Sequence, residues 1–127
     1  MATPEQPKPG ILALLADPTP MQPLLAHLHG LGHTVDVVQD LAGARTSFFS
    51  SGGHDCLLVA PDVRPGLANQ VMASLRAVDP ELPMATFGPG PTQEPKPARL
   101  TVLAAYHPGS RAGTGAFLRF LGSVRVR

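Results

Sequence analysis

The run Gly10–Ala16, GILALLA, is apolar along its whole length and shows no alternation. A strand with one wet face alternates apolar and polar residues, so this run predicts a strand covered on both faces, the habit of parallel sheets. That demand constrains the chain more than any other feature. Parallel strands cannot be joined by a hairpin; each needs a crossover of a dozen or more residues, usually a helix.

The remaining sequence supplies such crossovers. Met21–Leu31 places apolar residues at 21, 24, 25, 28 and 31, one helical face. Thr19 is the expected N-cap, Pro20 the first helical position, and Gly30 with Gly32 the end. Thr34–Val38 is β-branched and predicts a second strand. Asp40 is placed to cap a second helix in which Leu41, Ala44 and Phe48 share a face, before Ser50-Ser51-Gly52-Gly53 stops it. Cys56–Val59 follows as a buried strand and runs into a loop over Ala60–Gly66.

Leu67, Val71, Leu75 and Val78 recur at helical spacing, and Asp79-Pro80 ends that helix. Met84–Phe87 predicts a fourth strand and Leu100–Tyr106 a fifth. A last helix is expected over Thr114–Val124, with Phe117, Phe120, Leu121 and Val124 inward. Between the fourth and fifth strands, Pro89, Pro91, Pro95 and Pro97 fall within residues 88–98. Each interior proline costs a helix about 3 kcal/mol, so the fourth crossover helix is expected to be lost or shortened. The order predicts an α/β, doubly wound, five-stranded parallel sheet of flavodoxin-like order 2-1-3-4-5, with chemistry at the carboxyl ends of the strands.

The 127 residues suit one domain over 10–127, preceded by a flexible Pro-rich stretch over 1–9. A hydrophobic fraction of 43% is enough to bury a core. Net charge is +1, and Arg125 and Arg127 make only a small basic tail, so no nucleic-acid partner is expected. Cys56 is the single cysteine, which excludes an internal disulfide and a cysteine zinc site. No apolar run reaches the ~18–20 residues of a membrane span. Residues 1–10 lack the apolar core of a signal peptide. A cytoplasmic protein without membrane insertion is expected.

Three segments, His54-Asp55-Cys56-Leu57-Leu58-Val59, Pro80-Glu81-Leu82-Pro83-Met84-Ala85-Thr86-Phe87 and Tyr106-His107-Pro108, occur in this order at characteristic spacing. Together they resemble the receiver domains of bacterial response regulators over roughly residues 10 to 124. The resemblance implies a phosphoryl-acceptor aspartate after the third strand, an acidic pair after the first, a hydroxyl after the fourth and a lysine after the fifth. Those positions fall on Ala60, on Ala16 and Asp17, on Gly88 and on His107. Nucleophile, one metal ligand, hydroxyl and lysine are missing. Phosphoryl transfer depends on positioning and charge stabilisation, so their loss predicts an inactive site that is not an enzyme and holds neither metal nor cofactor.

The expected function is a phosphorylation-independent signalling or scaffolding pseudo-receiver of two-component type. It would bind a protein partner, or a second copy of itself as a homodimer, through Pro89, Pro91, Pro95, Pro97, Phe117 and Arg119. Two alternatives stay open. Asp62, two residues past the acceptor position, could shift toward Asp17 and accept phosphate as a switch, or could merely brace its loop. A pocket around Asp17, Asp62 and His107 could sense a small ligand. His27, His29 and His33 cluster near the first helix end, where the dipole favours cations, and a capping or solvated role is expected over metal binding. A hydrolase is disfavoured because no Gly-x-Ser-x-Gly elbow occurs, and Ser110 near His107 reads as a loop coincidence.

Overall fold

The computed structural model describes residues 8–17, 19–87, 100–103 and 111–124. Its elements alternate as the apolar pattern demands: β1 (Ile11–Leu14), α1 (Gln22–Gly30), β2 (Val35–Val38), α2 (Leu41–Ser50), β3 (Cys56–Val59), α3 (Pro65–Val78), β4 (Met84–Phe87), β5 (Leu100–Leu103) and α4 (Arg111–Gly122). The strands form one all-parallel sheet in the order β2-β1-β3-β4-β5. This is the flavodoxin-like α/β architecture. Register sets Leu14 beside Val38 on one side and Val59 on the other, so the loops after β1, β2 and β3 emerge together.

Every residue of β1, β3 and β4 is buried, the burial that two covered faces require. The edges differ. β2 leaves Val37 exposed, and β5 leaves Thr101 and Val102 exposed, so the apolar LTVL of β5 is an edge strand and not a covered one. The predicted continuation of this strand over 104–106 lies outside the described residues, as do 1–7 and the Pro-rich 88–98 with its expected loss of a helix.

Several boundaries move for identifiable reasons. Thr19 does not cap α1. Thr19–Met21 forms a 3-10 turn, and α1 starts after Met21 with Pro23 in its first turn and no side-chain cap. The cap falls one step earlier, where Asp17 Oδ1 accepts the Thr19 N–H at 3.0 Å. Pro20 and Pro23 lack amide hydrogens, so this start leaves fewer donors to satisfy. β2 begins at Val35, not Thr34, whose carbonyl accepts from Ile11 N at 2.9 Å.

Asp40 caps α2 as expected, accepting the Gly43 N–H, and Ala44 and Phe48 are buried. α3 begins at Pro65, because proline suits a first turn whose amides have no partners. Its inward stripe is Ala68, Val71, Met72 and Leu75; Val78 is 54% exposed because the helix ends there. α4 starts at Arg111, earlier than expected, and runs through the buried Gly113. Phe117, Phe120 and Leu121 are buried on it, and Val124 just beyond.

Cys56 sits in the core, fully buried. Burial, with a smaller contribution from the adjacent Asp55 carboxylate, pushes its thiol up from 9.0 to about 12. Above pH 9.0 the unfolded thiol releases its proton while the folded one keeps it, so stability should fall as pH rises from there toward 12. The slope should be about 1.4 kcal/mol per pH unit. Urea titrations of the native chain and Cys56→Ala across that range measure it as a slope that the variant lacks. Alkylation of Cys56 at pH 8 should require denaturant.

Candidate functional site

The loops after β1 and β3 meet at the carboxyl end of the sheet. Ala60 continues the ladder, its N–H donating to Leu14 O at 3.0 Å, and its methyl is 2% exposed. The chain then turns through Pro61 and presents Asp62. The Asp62 carboxylate crosses to the other loop and accepts two backbone N–H groups: Asp17 N to Oδ2 at 2.9 Å and Ala16 N to Oδ1 at 3.3 Å. Asp17 meanwhile holds Thr19, and Gln39 Nε2 donates to Ala16 O at 3.4 Å. Ala16, Asp17, Ala60 and Asp62 are therefore neighbours, as the sequence places them. Gly88 and His107 lie outside the described residues, as do Pro89, Pro91, Pro95 and Pro97.

This geometry gives Asp62 a bracing role across two loops, not the local turn within its own loop that the sequence suggested. Both oxygens accept from neutral amides. Among the described residues no ion pair involves Asp17 or Asp62, and no group of three or more His, Cys, Asp or Glu side chains could hold a metal ion. The histidines at the end of α1 do not converge either: His27 and His29 are exposed, while His33 Nδ1 lies 3.1 Å from Pro9 O.

Phe117 belongs to the core and not to a contact surface. It is fully buried, with its ring 6.4 Å from Phe87 and 5.7 Å from Phe120. The sequence places it inward and on a partner surface at once; burial decides for the first. Arg119 is exposed and lines, with Thr101, Val102 and Leu103, an open groove between α4 and the edge strand β5.

A third constellation escapes sequence reasoning. At the opposite end of the sheet His54 is buried with Nε2 2.8 Å from Asp36 Oδ2 and its ring stacked on Phe48 at 5.8 Å. Ser51 Oγ lies 3.4 Å from Nδ1. A carboxylate only accepts, so Nε2 carries the hydrogen between them. The order serine, histidine, aspartate invites a hydrolytic reading, but the surroundings oppose it. Ser51 Oγ is closer to the carbonyl of Ser47, at 3.0 Å, than to the imidazole. The amides of Ser51, Gly52 and Gly53 donate to Ser47, Phe49 and Phe48 carbonyls at the end of α2. None of these three amides remains to hold an oxyanion, and a helix C-terminus is the negative end of the dipole. The set ties α2, β2 and the start of β3 together. Its only signal in the sequence is His54 three residues after Ser51; Asp36 arrives through the sheet.

Comparison with family models, with curated proteins and with solved structures returns no match for this chain. The class defined by fold and site is a flavodoxin-like α/β protein with a carboxylate brace at its carboxyl rim.

Asp62→Ala should cost about 1 kcal/mol, the worth of charge-assisted bonds discounted for solvent exposure, and Asp62→Asn less than half of that. Chemical denaturation measures both. Phe117→Ala should cost about 3–5 kcal/mol, while Arg119→Ala should stay within about 0.5 kcal/mol. The same titrations then separate core from surface on α4.

Proposed function

We propose that this chain is a receiver-like signalling module that recognises a protein partner without being phosphorylated. The supporting observation is Ala60: the strand end that faces the crossing of the loops carries a buried methyl group, 2% exposed, which offers no nucleophile. The nearest alternative nucleophile, Asp62, has both oxygens engaged by the amides of Ala16 and Asp17. An acceptor must leave those bonds before it can attack, and no positively charged side chain among the described residues forms an ion pair with it. What remains for signalling is shape. The exposed edge of β5 beside Arg119 is the surface on which a protein partner or a second copy would pair.

The placing of Asp62 beside Asp17 favours a second reading, a divergent switch phosphorylated at Asp62. One experiment separates the two. The chain is incubated with acetyl phosphate and magnesium, then read by intact mass and by amide shifts with beryllofluoride. The pseudo-receiver reading expects no phosphoryl adduct and no saturable shift near residues 16, 17 and 60–62. An adduct lost in Asp62→Asn would replace it with the switch. Light scattering across protein concentration reads self-pairing, and Arg119→Glu should weaken any dimer that uses β5 and α4.

A further inference from the structure

A partly open cavity of about 120 Å³ lies beside Ala60, between the carboxyl ends of β3 and β4 and the first two turns of α3. Val59, Ala60, Val63, Ala68, Met72 and Phe87 form its apolar walls, all buried. Asp17 and Asp62 are not among its lining residues, and every side chain that lines it among the described residues is uncharged. Two polar groups reach it. Thr86 is buried, and its hydroxyl makes one hydrogen bond among the described residues, a long 3.4 Å contact to the Phe87 carbonyl. Asn69, half-buried on α3, makes no side-chain hydrogen bond among the described residues.

These features define what could enter. A neutral guest is favoured, because a charge taken from water finds no partner among the described walls. A cavity of ~150 Å³ admits benzene, so this one suits a molecule of about six heavy atoms or slightly fewer. Apolar walls want a compact hydrocarbon body. A hydroxyl and a carboxamide each both donate and accept, and together they suit a ligand end that does the same. Buried hydroxyls with only a long bond are rare in folded proteins, which gives Thr86 a reason to face an occupant.

We propose that this cavity is a binding site for a small neutral molecule with a branched apolar body and a primary amide or alcohol end, held by Thr86 and Asn69. The site does not rest on the partner-binding reading: it uses neither β5 nor Arg119, and either reading can fail alone.

Isobutyramide is the probe, and the isobutyrate ion, of like shape but charged, is the control. The full chain, isotopically labelled, is titrated with each at constant pH. Isobutyramide should give saturable shifts at the amides of Ala60, Val63, Thr86 and Phe87 and at the Met72 methyl, with a Kd in roughly the millimolar range. Thr86→Val and Asn69→Ala should each weaken binding about fivefold, the worth of one hydrogen bond, with the rest of the spectrum unchanged. Ala68→Leu should fill the cavity and abolish binding; should that variant fail to fold, Asn69→Ala, at a half-buried helix position, still decides. Absence of saturable shifts at these residues, equal binding of isobutyrate, or full affinity in both polar variants would overturn the proposal.

Discussion

The rest of this structure depends on the burial of β1 and β3 on both faces at once. Ile11–Leu14 and Cys56–Val59 lie side by side in the middle of the sheet with 2% exposure or less at every position. Roughly 25 cal/mol is gained for each Å² of apolar surface removed from water, so two fully covered strands contribute strongly to stability. Their parallel pairing forces helical crossovers. Those crossovers return β1 to β4 in the same direction and gather the loops after Leu14, Val38 and Val59 at one rim. The contacts of that rim follow from this gathering.

At both ends of the sheet a carboxylate joins segments that the core only brings near. Asp62 ties the loop after β3 to the loop after β1 at the carboxyl rim. Asp36 holds His54 at the amino rim, linking β2 to the start of β3, and Asp55 accepts the Gly10 N–H at 2.7 Å to fix the start of β1. These bonds satisfy amides and an imidazole that edge geometry would otherwise leave unpaired. A carboxylate spent in this way is less available for chemistry. That competition is the physical basis for reading Asp62 as a brace.

Legibility in the sequence followed the range of the interaction. The strands Cys56–Val59 and Met84–Phe87 and the Asp40 cap could be read because each depends on neighbours within a few residues. The sheet order followed from alternation and from the habit of right-handed crossovers. The start of α1 was not legible, because Thr19 and Asp17 are both plausible caps and the choice rests on how a double-proline segment folds. The outward turn of Val78 and the exposure of Val102 were hidden because periodicity gives a side chain's direction around its helix or strand but not where its neighbours end. Thr86 drew no notice in the sequence, since a threonine in an apolar strand reads as filler until the cavity beside it is known.

Taken alone, the chain determined its class: apolar runs without alternation, separated by helical stripes, have few ways to bury themselves other than a parallel α/β sheet. It also determined that position 60 carries no reactive atom. Tertiary structure decided which carboxylate faces what. Asp62 and Asp17 are 45 residues apart, and Asp36 and His54 are 18, yet each pair meets within hydrogen-bond reach. Such contacts are set by strand register and loop direction in three dimensions, quantities that no local pattern of residues encodes.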